Sequence, residues 1–268
     1  MSGRNCISVL VFALIMCVIS FAAISDAWAD AEEEFHNTYS VAPGTPLSVG
    51  NTNGNINVRV WDKDYVDVLA VKKTNRGKDE LEKVDIRVSK NGKLSIETDY
   101  LERNARVTVN YTISVPKTVP VEQIKTTNGS VEITGTTGDA FIKTTNGSIK
   151  VSDTEGTVEL QTTNGNISFT VASGIRLAKT TNGSIEVSAL NFVDNAEITT
   201  TNGSVTFAVP ENINADIDLK TTNGKISANQ IQMLVEEISK THVSGKLGSG
   251  GNSITIRTTN GSITLKKM

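Results

Sequence analysis

Once an N-terminal leader is set aside, the chain contains no cysteine. Both cysteines, Cys6 and Cys17, fall within residues 1–29. There Arg4 supplies a positive start, Ile7 to Ile24 an apolar run, and Ala27-Trp28-Ala29 a small-residue cleavage pattern before Asp30. This predicts a signal peptide cleaved after Ala29 and an exported chain of 239 residues (268 − 29). Without thiols, such a chain must draw its stability outside the cytoplasm from burial and ladder hydrogen bonds, not from disulfides.

Histidine is scarce too. His36 and His242 are the only two, and neither has neighbours at metal-ligand or catalytic spacing, so zinc sites and Ser-His-Asp chemistry find no candidates. The calcium repeat Gly-Gly-x-Gly-x-Asp is also missing; Gly248-Ser249-Gly250-Gly251-Asn252 departs from it. No metal, cofactor or catalytic residue is expected. Asp153 and Glu155, or Asp139, can be read as acid and base of a glycan-cleaving β-helix, but turn carboxylates are far more often simply solvated. No apolar stretch after the leader approaches membrane-spanning length. The net charge of −3, unchanged when Arg4 and Asp26 leave with the leader, gives no reason to expect nucleic acid or an anionic membrane as partner.

What the chain has in abundance is one tetrapeptide. Thr-Thr-Asn-Gly begins at Thr126, Thr144, Thr162, Thr180, Thr200, Thr221 and Thr258. Its corner pairs are Asn128-Gly129, Asn146-Gly147, Asn164-Gly165, Asn182-Gly183, Asn202-Gly203, Asn223-Gly224 and Asn260-Gly261, with an isolated early copy at Asn53-Gly54. Successive Asn positions in the main series lie 18, 18, 18, 20, 21 and 37 residues apart. A fixed period of this size is the mark of a stacked solenoid. The final step reads as two coils with one degenerate corner, giving eight or nine coils in all. The extra residues of the longer steps fall near 191–195 and 210–214, at the far corner, where a solenoid accepts insertions.

Around each corner the side chains alternate with the strand period. Ile124, Ile142, Leu160, Ala178, Ile198, Leu219 and Ile256 form one apolar column; Val131, Ile149, Ile167, Ile185, Val205, Ile226 and Ile263 form another. Asn-Gly between alternating apolar residues is also a hairpin signal, because both residues tolerate positive φ, so an up-and-down meander is the rival arrangement. Equal spacing and repeated identity favour stacking of like on like. Glu122 and Arg176 breach the columns, and the opposite phase of Ile175 and Leu177 predicts a bulge at Arg176. Residues 230–240 are ambiguous and are expected to be a loop with at most a short helix.

The organisation expected is a leader over 1–29, a frayed acidic lead-in over 30–44, an N-terminal coil and capping strands over 45–120, and the repeat solenoid over 121–268. Within the cap, Asn91-Gly92 should join two strands as a hairpin, Lys78 to Val84 should make one or two helical turns, and 106–115 should be a long strand. Trp61 is expected to pack at an end of the stack. The fold class is therefore all-β: a β-solenoid, single-stranded and β-helix-like, with 18–21-residue coils and a strand-rich N-terminal cap.

Two outward columns bear on function. Thr127 and its counterparts form a threonine rank; a second rank that an ice-binding face would need is occupied by Lys or Gln, so the threonines read as strand formers. Three residues before each Asn stand Lys125, Lys143, Gln161, Lys179, Thr199, Lys220 and Arg257. The cations Lys125, Lys143, Lys179, Lys220 and Arg257 make a candidate ligand stripe, for which anionic envelope glycans are the natural partner.

The pattern resembles the bacterial adhesin-like family of exported β-solenoids, related to head-domain adhesins and to the so-called toastrack domains. The resemblance rests on Asn53-Gly54-Asn55-Ile56 with Val58 and Trp61, on Tyr111 to Pro116 leading into the coils, on the repeated Thr-Asn-Gly-Ser-Ile corners, and on Gly245-Lys246-Leu247-Gly248 before a last coil ending in Ser262-Ile263. It implies a β-solenoid, an envelope location and an adhesin-like, non-enzymatic binding or scaffold role, with no family binding site to carry over. A sensor-like component of an envelope stress system is the alternative it implies, and a glycan-active enzyme is the third class. Periplasm and cell surface are both open.

Overall fold

The computed structural model describes residues 30–268 except 172–173, 191–193 and 229–230. The expected leader, with cleavage at Ala29, lies outside the described residues, as do Gln230 and the insertion at 191–193. The described residues fold into two long sheets, and each coil contributes one strand to each sheet. Val121–Lys125 lies in the first sheet, the chain bends through Thr126–Ser130, and Val131–Thr134 lies in the second.

Strands from successive coils pair in parallel and in register. Ile124, Ile142, Leu160, Ala178, Ile198, Ile256 and Leu219 follow one another across the first sheet. Val131, Ile149, Ile167, Ile185, Val205, Ile263 and Ile226 do so across the second. Apart from half-buried Ile226, these residues are at most 1% exposed, and the core is the strip between the sheets where the two columns meet. A slip of one residue would turn both columns to water, which is what holds the register. Both column breaches are bulges: the ladder skips Glu122 opposite Leu47/Ser48 and Arg176 opposite Val158/Glu159. Each leaves its charged side chain outside.

The order of the stack departs from the order of the chain at both ends. The first coil, Leu47–Gly50 and Ile56–Trp61, lies between the coil of Leu94–Tyr100 and Thr108–Pro116 and the coil that begins at Val121. The last coil, Ser253–Asn260 and Ile263–Lys267, is inserted between the Asn202 coil and the Asn223 coil. The 37-residue step is therefore not two coils with a degenerate corner. It is an antiparallel hairpin, Met233–Ile238 with His242–Leu247, that covers the edge of Ala215–Asn223 before the chain returns inside the stack. Residues 233–238, expected as loop or short helix, are strand because they complete this ladder.

The lead-in is also a strand. Ala31–Tyr39 is the edge of the second sheet, antiparallel to Val66–Thr74. Glu32 pairs with Lys73 and Glu33 with Lys72, each at 3.0 Å, so its acids are matched across the ladder instead of fraying it. The hairpin and the turn follow expectation: Val84–Ser89 and Leu94–Tyr100 form the hairpin at Gly92, and Lys78–Lys83 is a 3-10 turn. Trp61 does not: expected at an end of the stack, it closes a strand that lies inside it, between Thr108–Pro116 and Val131–Thr134, and stands edge-on to Tyr65 at 4.9 Å with Lys63 over its ring.

The repeated glycines are needed for a reason other than positive φ. Only Gly54 among the corner glycines has it (φ 121°); at the far corner Gly135, Gly138, Gly156 and Asp153 do. A Cβ on Gly129, Gly147, Gly165, Gly183, Gly203, Gly224 or Gly261 would lie 1.9–2.0 Å from the carbonyl oxygen of the corner glycine one coil away. No side chain fits there. Gly165→Ala should therefore lower the unfolding free energy by ~2 kcal/mol or more, while Glu159→Gln, which removes one exposed ion pair with Arg176, should cost less than ~1 kcal/mol. Urea denaturation of both variants checks this, and equal losses would refute the corner stacking.

Candidate functional site

Three hydrogen-bonded ladders run along the Asn-Gly corner. The first Thr of each repeat is buried, and the Oγ1 of Thr144, Thr162, Thr180, Thr200, Thr258 and Thr221 donates to a corner-glycine carbonyl one coil away at 2.8–3.0 Å. Each Asn donates Nδ2 to Oδ1 of the next, from Asn223 through Asn260, Asn202, Asn182, Asn164, Asn146 and Asn128 to Asn53, at 2.7–2.9 Å. The residue after Gly accepts a backbone N–H from the neighbouring coil, as Ser130 Oγ does from Ser148 N. Lys225, which offers no acceptor, stands in the outermost coil, where no further coil needs one.

The amide ladder has a direction. At the cap, Asn53 Nδ2 donates to Tyr100 Oη at 3.2 Å, and Tyr100 Oη donates to the Val107 carbonyl at 2.8 Å. Burial raises the Tyr100 hydroxyl pKa. Beside this end, the segment between Tyr100 and Thr108 replaces the Asn-Gly corner of its coil and walls a cleft of about 730 Å³ lined by Arg103, Arg106, Asn55, Asn104 and Asn110. Sequence spacing gave no sign of it, because these residues come from two coils separated by the cap. Glu80 anchors the wall: its Oε1 accepts from Arg106 N at 2.6 Å and its Oε2 meets Lys83 at 3.1 Å.

The sequence-derived cation stripe is a physical column. Pairing places Lys125, Lys143, Gln161, Lys179, Thr199, Arg257 and Lys220 in that order on the outer face of the first sheet, with Arg257 ahead of Lys220 because the last coil is inserted. Electrostatics divide it. Arg257 and Lys220 both reach Asp218, at 3.1 and 3.7 Å, and Asp218 also meets His242 Nε2 at 2.8 Å. Lys125 lies 5.6 Å over the Phe141 ring, and Lys125, Lys143 and Lys179 have no carboxylate partner among the described residues.

A family model, Toastrack DUF4097, matches residues 48–266. The chain belongs to the toastrack DUF4097 family. No curated protein matches it. Among solved structures it is similar to a "putative cell adhesion protein" from Clostridium sporogenes, at 15% identity over 88% of this chain and 100% of that one, TM-score 0.37. It is also similar to a "putative adhesin" from Bacteroides fragilis, at 15% identity over 88% and 97%, TM-score 0.41, and to a "putative lipid binding protein" from Parabacteroides distasonis, at 14% identity over 88% and 96%, TM-score 0.32.

Of the acid and base candidates of this toastrack chain, two have side-chain partners and the third is distinguished by its backbone. Asp139 Oδ1 accepts from Thr157 N at 2.8 Å, Glu155 pairs with Lys117 at 2.9 Å, and Asp153 occupies a left-handed turn (φ 54°). His242, isolated in sequence, meets Asp218 through one ring nitrogen and Glu237 through the other, each at 2.8 Å. The two carboxylates flank the ring from opposite sides, and the trio ties the terminal hairpin to the stack. Among the described residues no group of three or more His, Cys, Asp or Glu is arranged to hold a metal ion, and no helix is long and apolar enough to cross a membrane.

The Arg106 N–H and Lys83 hold the Glu80 carboxyl below its ordinary value of 4.5. A lowered folded-state pKa stabilises at pH above the unfolded value and is lost as pH falls through the folded one. The hydrogen-exchange protection factor of the Arg106 amide should therefore fall on acidification below about the usual carboxylate range. Glu80→Gln should lower it already at neutral pH and flatten the pH dependence.

Proposed function

We propose that this toastrack protein is an exported, non-enzymatic, adhesin-like binding or scaffold protein of the cell envelope or surface, which grips anionic glycans along one face of its stack. The observation that carries this reading is the in-register column in which Lys125, Lys143 and Lys179 have no carboxylate partner among the described residues, in a chain of net charge −3. Lys125 and Lys143 are adjacent in the stack, and Lys179 stands two coils beyond Lys143. At a strand spacing of about 4.8 Å the second gap is close to 10 Å. Like charges held at such intervals repel one another mildly in water; a polyanion lying along the column relieves that repulsion and gains several weak contacts at once. The flanking threonines, outward and exposed except for half-buried Thr145, add hydroxyls for sugar hydroxyls.

Export is supported by the charged start, the apolar run and the Ala27-Trp28-Ala29 pattern of residues 1–29. Adhesion by a repeated flat face also suits a fold whose surface is a lattice of identical positions. The purified chain should bind polygalacturonate at low salt and release it as salt rises, since exposed charge contacts are screened over about 8–10 Å at moderate ionic strength. Lys143→Gln with Lys179→Gln should weaken binding by about tenfold, from two lost contacts of under 1 kcal/mol each. Binding that ignores both salt and the substitutions, or no binding, overturns the reading.

A further inference from the structure

The cleft at the cap end of the amide ladder has a chemistry that the column does not explain. Two of its asparagines are fixed by backbone donors: Asn110 Oδ1 accepts from Asn55 N at 2.9 Å, and Asn55 Oδ1 accepts from Ser130 N at 2.8 Å. A backbone N–H demands an oxygen, so these bonds settle which amide atom is which and leave each Nδ2 as a donor with no acceptor among the described residues. Arg103 and Arg106 line the same cleft, and neither guanidinium meets a carboxylate among the described residues. The wall therefore presents two guanidiniums and two amide NH2 groups, with the Asn104 amide and the Thr108 hydroxyl offering acceptors as well.

We propose that this cleft is a receptor for the carboxylate of a hydroxylated acid, of which a sugar acid is the fitting class. A planar guanidinium takes a carboxylate through two parallel N–H···O bonds. The amide donors, Asn104 and Thr108 then face the hydroxyls, and a volume near 730 Å³ admits one or two pyranose rings. The site goes beyond the column reading and stands without it, because it is built from different residues on a different part of the stack.

The shared chemistry has two sources, a free sugar acid and the acidic end of a polymer, and calorimetric titration separates them. The probes are D-glucuronate, an oligogalacturonate, acetate and inorganic phosphate, each titrated into the full exported chain. The wild-type protein should bind glucuronate, and acetate and phosphate much more weakly. Arg103→Gln with Arg106→Gln should weaken glucuronate binding by about tenfold or more, while Lys143→Gln with Lys179→Gln leaves it unchanged. The arginine substitutions leave the Glu80 anchor in place, since that bond uses the Arg106 backbone. Asn110→Asp is the second variant: it keeps the oxygen that accepts from Asn55 N yet sets a negative charge in the cleft, so binding should vanish with the thermal midpoint preserved. Tighter binding of the oligomer than of glucuronate, lost in the arginine variant, assigns the site to polymer ends; equal binding assigns it to the free acid. No glucuronate binding up to about 20 mM, equal binding of phosphate, or equal losses in the lysine and arginine variants overturns the proposal.

Discussion

Where the chain turns from one sheet to the other, the carbonyl oxygen of one corner glycine occupies the place a Cβ of the next would take, 1.9–2.0 Å from it. That contact sets how closely the corners approach, and the rest of the corner depends on it. With backbones this near, each Thr Oγ1 reaches a glycine carbonyl, each Asn amide reaches its copy, and each following Ser or Asn side chain receives an N–H, Lys225 in the outermost coil excepted. The polar groups that a sharp bend would otherwise strand are answered by groups of the neighbouring coil's corner. A larger residue at one glycine would open the spacing and break three ladders together, so the tetrapeptide behaves as a unit.

A ladder of identical units has two ends, and the ends are where this chain departs from its own repeat. At the cap the amide chain terminates on Tyr100 and the Val107 carbonyl. At the other end it stops at Asn223, in the coil whose following residue is Lys225. Both chain segments that enter or leave the solenoid are threaded into its interior, paired on both sides. Three of the four sheet edges are antiparallel strands; the fourth, the two-residue Ile226–Ser227, is parallel to its neighbour. The acidic Ala31–Tyr39 is blunted by charge, whereas Met233–Ile238 keeps Leu234 and Ile238 in water, 69% and 73% exposed.

Function in such a fold has two kinds of surface to use. The coils multiply one position into a column, which suits a long ligand held by many weak contacts. The cap interrupts the repeat once, with the segment between Tyr100 and Thr108, and there a concave, donor-rich site forms that no repeat position offers. Asp218 divides the cation column: by meeting Arg257, Lys220 and His242 it offsets charge at one end and leaves Lys125, Lys143 and Lys179 without a carboxylate partner among the described residues.

The sequence alone determined the solenoid, its two apolar columns, the bulge at Arg176, the hairpin at Gly92 and the presence of a cation column. These follow from period and alternation, which are local properties that stacking repeats without change. It did not reveal that the corner glycines serve close approach instead of positive φ, because both uses leave the same letter. The order of coils at the two ends was decided only by the tertiary structure, since parallel strands of equal pattern pair equally well with several neighbours. Lys225 was the one local sign of that order, legible once the outermost coil is known to need no acceptor. The strand over Ala31–Tyr39 escaped composition because its acids are matched by lysines from a distant segment. The cleft escaped it too, since Arg103 and Arg106 become a site only when the cap folds beside Asn55 and Asn110.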